Sequence, residues 1–595
     1  MAVPVATPRH GARVLPEGGT RFALWAPDAR SVALRLWSGE TIAMPAMGDG
    51  WYELEYPCGH GMDYRFVIND ELQVPDPAAR AQVDDPAGWS QVVDHSAYQW
   101  QVRDWHGRPW HESVIYEVHA GLLGGYNGVR QRLLALAALG VTAIELMPLA
   151  EFPGARNWGY DGVLPFAPEA SYGSPEALKA LIDTAHELGL MVFVDVVYNH
   201  FGPEGNYLGQ YAQRFFRDDI QTPWGAAIDF RRQEVRDFFC ENALMWVLDY
   251  RVDGLRFDAV HAISEKDFLL ELALRVRTAI PSGRHVHLML ENEDNDPVLL
   301  QQGFDAQWND DGHNVLHQLL TGEQEGYYRE FVDQPTAKLA RFLGEGFVFQ
   351  GEPDRRGRLR GAPSGHLPPT SFILFLQNHD QVGNRALGER LHHLADPEPL
   401  RAALVLLLLS PMVPLLFMGE EWGASEPFLY FTDHSPELAK AVCEGRRNEF
   451  ADFARFADPH LRAQIPDPNA LDSFQRSAPA YGAPHSAQQQ EWLALYRTLL
   501  HLRAEEIIPR LKGEVRGAGV VILGEGAVSA SWELADQTLL RIDINLSATP
   551  VAAPPLTGME AEGTRVLFQQ GIDERALAQG VLPACTAIAS LKERK

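Results

Sequence analysis

Cysteine is scarce in this 595-residue chain. Cys58, Cys240, Cys443 and Cys585 are too widely spaced for a CxxC zinc or redox pair, so they read as packing residues in a reducing compartment. Positive charge is also short, with 51 Lys and Arg against 79 Asp and Glu and a net charge of −28. A surface of that sign repels phosphate backbones and argues against a nucleic-acid partner. The opening stretch MAVPVATPRHGARVLPEGG holds no apolar run of signal-peptide length, and a cytoplasmic protein is expected. Long hydrophobic runs are missing but for the uncharged segment from Ala402 to Gly419, which Pro411 and Pro414 interrupt. A buried helix ending near Leu409, followed by a buried strand from Val413 to Met418, accounts for it better than a membrane span does.

The remaining composition, 46 % hydrophobic and 22 % charged, is that of a globular protein too long for a single core. The first hundred residues alternate as short strands, in TRFALWAPDARSVALRLW, WYELEYP and DYRFVIND. They predict a β-sandwich over 1–108. From 109 to 510 apolar strands alternate with helical stretches: SVIYEVHAG (113–121), VTAIELMPL (141–149), MVFVDVV (191–197), GLRFDAV (254–260), HVHLMLEN (285–292), FDAQWND (304–310), FILFLQN (372–378) and VPLLFMG (413–419). Eight such strands predict an α/β fold, a (β/α)8 TIM barrel with insertions. A doubly wound sheet is the alternative, but no glycine-rich phosphate loop follows the first strand. Ser264 and Asp267 are spaced as a capping box for one barrel helix, and AQQQEWLALYRTLLHLRAE (487–505) reads as the last helix. Residues 511–595 predict a small C-terminal β-domain.

In such a barrel the site lies at the C-terminal ends of the strands. Polar residues gather there: Asp195 with Asn199 and His200, Arg256 and Asp258 with His261, Glu291, and Asn378, His379 and Asp380. Two-residue alternation puts Arg256 and Asp258 on one face, where the guanidinium would keep the carboxylate ionised as a nucleophile. The apolar residues before Glu291 would keep it protonated as a general acid. Two carboxyls of opposite protonation are the machinery of glycoside hydrolysis. Rim salt bridges explain any one of these residues, but not the whole set at successive strand ends. Trp158, Tyr160, Phe201, Tyr207, Trp224 and Trp308 follow strand ends as candidate sugar platforms, each as well explained by core packing.

The stretches DVVYNH (195–200), GLRFDAVH (254–261), Glu291 and QNHD (377–380) resemble the four signature regions of the α-amylase superfamily of glycoside hydrolases. The resemblance implies Asp258 as nucleophile, Glu291 as acid/base and Asp380 as a third catalytic carboxylate. It also implies Tyr160, His200, Arg256 and His379 as lining of the subsite on the non-reducing side of the cleaved bond. Within the superfamily, residues 146–163, 303–328, 377–391 and 415–434 resemble the trehalose-releasing hydrolases. The implied substrate is an α-glucan oligosaccharide ending in trehalose, a maltooligosyltrehalose, cut at the α-1,4 bond beside that unit. No cofactor or metal ion is expected in the chemistry, although Asn199 binds calcium in some relatives, and a monomer is expected.

The resemblance runs from about Arg21 to about Arg503 and is weak beyond. HAGLLGGYNGV departs from the family pattern after the first strand, which implies a different cleft wall, and Glu293 sits two residues from Glu291 as a rival acid. The competing functions are a glycogen branching enzyme, from which AEFPGARNWGYDGV separates the chain, and a non-catalytic glycan-binding protein, against which the intact carboxylates at 258, 291 and 380 argue.

Overall fold

A computed structural model describes residues 8–482, 486–552, 563–571, 576 and 579–593. Eight parallel strands close into a barrel in chain order: β1 (Ile115–Val118), β2 (Ala143–Leu146), β3 (Met191–Val196), β4 (Gly254–Phe257), β5 (His287–Leu290), β6 (Ala306–Trp308), β7 (Phe372–Leu374) and β8 (Val413–Phe417). All eight fall inside the apolar runs that predicted them. Each is shorter at its C-terminal end, and in β4, β5, β6 and β7 it is polar residues that leave the ladder there.

The inward-facing positions explain why the site forms at one end. Ile115, Ala143, Phe193, Met289, Trp308 and Phe375 pack inside the barrel. One step along the pleat, two residues further toward the C-terminal ends, lie Glu117, Glu145, Asp195, Glu291, Asp310 and Gln377. The barrel therefore changes from an apolar plug to a charged mouth within a single pleat repeat.

In front of the barrel, two antiparallel sheets form the predicted sandwich. One joins Arg13–Val14, Thr20–Trp25, Trp51–Tyr56 and Ala46–Gly48; the other holds Thr41–Ala43, Val32–Leu36, Asp63–Ile68 and Leu72–Val74, with Ser90–Gln91 alongside. Alternating Phe22, Leu24, Leu34, Leu36, Tyr64 and Phe66 are buried between them. After the barrel, Arg516–Gly524, Ala527–Glu533, Leu539–Asn545, Thr586–Lys592 and Thr564–Gln570 make a five-stranded antiparallel sheet.

The apolar segment at 402–419 divides as its prolines predict, into a helix, Pro397–Leu409, and strand β8. That helix is apolar all round because the C-terminal sheet covers the side turned away from the barrel. Fully buried Arg503 closes the turn between helix and strand, donating to the carbonyls of Leu408 (3.0 Å), Ser410 (2.7 Å) and Met412 (2.7 Å). Among the described residues no helix is long and apolar enough to cross a membrane.

The capping box is a correction. The helix after β4 runs Lys266–Ala279 behind Glu265 with no side-chain cap, because the Asp267 carboxylate accepts from Arg236 at 2.7 Å instead. The last helix is capped by Ser486 through a capping box with Gln489.

Candidate active site

Arg256 is the hub of the mouth. It is 1 % exposed, its guanidinium lies 4.1 Å over the Trp308 ring, and its two terminal nitrogens reach three carboxyls. Nη1 donates to Asp195 at 2.7 Å and to Asp258 at 2.9 Å, and Nη2 donates to Glu291 at 2.7 Å. A planar fork with fixed donors suits such bridging, and the three acceptors offset the cost of burying its charge.

Asp258 follows the last residue of β4, and the next residue, Ala259, adopts φ 40°. This left-handed turn aims the Ala259 N–H at Glu291 Oε2, 3.0 Å away. Asn199 donates its side-chain amide to the Asp258 carboxylate at 2.8 Å. Burial alone would raise Asp258; Arg256, His200 and hydrogen bonds from Asn199 and Glu291 outweigh it and hold the carboxyl below its ordinary value. Glu291 goes the other way. Burial pushes it well above the ordinary range, Arg256 opposes, and the negative charges of Asp258, Asp380 and Asp310 add to the push. Its Oε2 takes both N–H donors, leaving Oε1 for the proton. Glu293, the rival, is 55 % exposed and turns to His261 Nε2 at 3.8 Å, because β5 ends at Leu290 and strand alternation does not reach it.

The other predicted residues form a wall beside this pair. Asp195 accepts from the Tyr160 hydroxyl at 2.6 Å, and burial pushes it up to about 6 against the pull of Arg256. Tyr160 reaches His379 Nε2 at 2.9 Å with the two rings stacked at 5.2 Å. His200 bonds the Tyr160 carbonyl at 2.9 Å and Asn199 Oδ1; burial lowers its pKa, while Asp258 and the Tyr160 carbonyl pull the other way. His379 and Asp380 open a short helix, His379–Gly383, capped by Asn378; Asp380 is 41 % exposed and accepts from Asn384 at 2.8 Å. His261 stands apart on a turn, a quarter exposed, with Nδ1 accepting the Glu293 N–H.

The aromatic residues divide. Trp224 stacks on His200 at 4.7 Å from a hairpin tip and is 47 % exposed, a true rim residue. Trp158 is buried against Phe428, donates to the Leu429 carbonyl at 3.0 Å and backs His379 rather than lining open space. Trp308 is inside the barrel beneath Arg256, since it is an inward position of β6 and not a residue beyond it. Phe201 packs among Phe215, Phe216 and Phe239, and Tyr207 lies half-buried against the core.

Besides Glu145, three residues of the mouth escaped the sequence reading. Glu117 on β1 holds His379, and its signal was a lone charge in the apolar strand IYEV. Asp310, one pleat beyond Trp308, is raised by burial and by Asp380 to about 7. Tyr327, on the turn Gly326–Phe331, is 70 % exposed and close enough to feel the charge of Asp380; no periodic pattern marks it.

Comparison with known proteins bears on the family and the fold. The α-amylase catalytic-domain family matches residues 85–224, carbohydrate-binding module 48 (isoamylase N-terminal domain) matches 9–86, and a C-terminal domain of unknown function matches 515–588. A crystal structure of a putative α-amylase from Salmonella typhimurium superposes with a TM-score of 0.91 at 43 % identity, covering 99 % of this chain and 100 % of that one. A branching enzyme from Nocardia farcinica is 35 % identical over only 42 % of this chain. The malto-oligosyltrehalose trehalohydrolase of Arthrobacter ramosus is 36 % identical over 91 % of this chain and 95 % of its own length. That of Deinococcus radiodurans is 44 % identical over 84 % of this chain and 83 % of its own. With relatives of that name matching at such identity across sandwich and barrel alike, the chain belongs to the malto-oligosyltrehalose trehalohydrolase family of α-amylase-type glycoside hydrolases.

Proposed function

We propose that this protein is a glycoside hydrolase that releases trehalose from maltooligosyltrehalose by cutting the α-1,4 bond beside the terminal trehalose unit. The observation that carries the reading is the pair Asp258 and Glu291, two carboxyls held by one guanidinium whose pKa values are pushed in opposite directions. In the first step the Asp258 carboxylate attacks the anomeric carbon of the glucose preceding trehalose. The Glu291 proton passes to the departing oxygen, and trehalose leaves intact. In the second, Glu291 takes a proton from water, which attacks the same carbon and frees Asp258, yielding a maltooligosaccharide with retained configuration.

Asp380 is the third carboxylate, half open to the cleft and suited to sugar hydroxyls. Tyr160, Asp195, His200, Arg256 and His379 make up the wall of the subsite, with Trp224 as its outer platform. Trp158 backs that wall behind His379, and His261, on its own turn beside Glu293, is placed to reach substrate further along the cleft. We take a monomeric, cytoplasmic enzyme as the working form, with a single chain carrying out both steps.

Incubating the protein with maltooligosyltrehalose and with a plain maltooligosaccharide of equal length tests the reading. Trehalose should appear quickly from the first, and the second should be cut far more slowly, because a maltose unit would leave the polar groups of a trehalose subsite unpaired. New α-1,6 branches on amylose would favour the branching reaction instead. Equal rates on the two substrates would reduce the activity to general α-glucan hydrolysis.

A further inference from the structure

Beneath the subsite wall, two glutamates face each other across neighbouring strands: Glu117 on β1 and Glu145 on β2 are register partners, and both are 1 % exposed. They are used differently. Neither oxygen of Glu145 has a hydrogen-bond partner, and burial pushes its carboxyl well above the ordinary range, so it is neutral. Glu117 is fully engaged. Its Oε1 lies 2.5 Å from His379 Nδ1, and its Oε2 accepts the His379 backbone N–H at 2.9 Å.

The protons can be counted around the imidazole. The single Tyr160 hydroxyl proton is committed to Asp195 Oδ2 at 2.6 Å, so toward His379 Nε2 that hydroxyl is an acceptor, and Nε2 carries a proton. On the other side Glu117 is an acceptor too, so Nδ1 carries a proton. We propose that Glu117 is a positioning residue that holds His379 as a doubly protonated imidazolium facing the sugar subsite. Both ring nitrogens are then donors, and Nε2 offers a charge-assisted hydrogen bond to a sugar hydroxyl once substrate displaces or shares the contact with Tyr160.

The surrounding groups are consistent with that state. Burial works against the charge on His379, but Glu117 and then Asp380 outweigh it, while Arg256 opposes, and the ring ends above its ordinary value. His119, packed nearby, is pulled by burial down to about 4 and is neutral. Asp195 acts through Tyr160. With Glu145 uncharged, Glu117 supplies the counter-charge from the barrel floor, and removing it leaves only half-exposed Asp380.

The kinetic part of the inference rests on the glycosidase reading of this mouth; the charge on His379 can be read without substrate. In Glu117→Gln the imidazolium loses its counter-charge, so His379 should become neutral at lower pH. The alkaline limb of kcat/KM should move down by at least ~1 pH unit, with a loss of roughly tenfold above the new limb, carried mainly by kcat, and near-normal turnover below it. Glu117→Asp, which keeps the charge, should return the limb toward its original place. Because Glu291 is itself a buried acid that answers to Arg256, Asp258, Asp380 and Asp310, the limb is assigned to His379 only if the ring titration followed by NMR moves by the same amount in Glu117→Gln.

A uniform loss at every pH, or an unmoved limb, would overturn the inference and leave Glu117 a purely structural contact. Ring-nitrogen NMR shifts of labelled histidine provide the substrate-free arm, with His379→Gln used to assign the signal. In the unmodified protein at pH about 8, where an ordinary histidine is neutral, the ring should still read as imidazolium. A neutral ring there would refute the proposal even if Glu117→Gln did not fold.

Discussion

Replacing Arg256 by lysine keeps a positive charge in the barrel and removes the fork. An ammonium on a flexible stem cannot hold Asp195, Asp258 and Glu291 together as the two terminal guanidinium nitrogens do at 2.7 to 2.9 Å. Asp195, already at about 6, takes up a proton when its share of the charge is lost, so the fold should survive. For Asp258, losing one charge-assisted hydrogen bond is worth about 1.5–3 kcal/mol, or roughly 1–2 pH units.

The sign follows from the role. Asp258 is held below its ordinary value and must be ionised to attack, so activity is lost as pH falls through its pKa. Weakening Arg256 raises that pKa, and the acid limb of kcat/KM should move to higher pH by ~1–2 units. Misplacement of the two carboxyls should also cost about a hundredfold in kcat on the plateau. Trehalose release measured across the pH range, with the thermal transition recorded as a control for folding, reads both effects. An acid limb unmoved in a folded Arg256→Lys variant would refute the idea that the guanidinium sets the ionisation of Asp258.

Asp258→Asn and Glu291→Gln should each lower kcat by several orders of magnitude with the melting transition retained, and the double variant should be little worse than either, because both act on one transition state; near-normal turnover in Glu291→Gln would remove it as the acid/base. Trp224→Ala, which strips an aromatic platform 47 % exposed at the rim, should raise KM several-fold with kcat largely kept, as read from initial rates over a range of substrate concentration. Arg503→Met leaves three buried carbonyls without their donor and should cost about 3–5 kcal/mol in denaturant unfolding without moving the pH profile of the enzyme that remains folded.

The barrel was legible because its strands are apolar on both faces, and because the few charges that interrupt them had to be compensated. GLRFDAV carries two such charges and led to the site. IYEV carries one, at Glu117, and the same reasoning applied there would have found the partner of His379. Aromatic residues were less readable. Trp224 reaches the rim from the tip of a separate hairpin, Phe216–Thr222 and Gly225–Ile228, whereas Trp308 is the last residue of its barrel strand, and placing its ring inside the barrel needs the strand boundary to within one residue. Glu291 against Glu293 turned on the same boundary. Tyr327 lay beyond any periodic signal, on a short turn between β6 and β7.

The helix Pro397–Leu409 owes its covering to a sheet translated much later. Its outer face meets strand Thr586–Lys592, roughly 180 residues downstream. During synthesis the leucine-rich surface must wait on the order of ten to forty seconds, at ordinary elongation rates, before its cover leaves the ribosome. For that interval the nascent protein carries an adhesive stripe, and a chain cut short before the last strand would carry it permanently. Products cut short before that sheet should therefore collect in inclusion bodies rather than fold into a smaller enzyme.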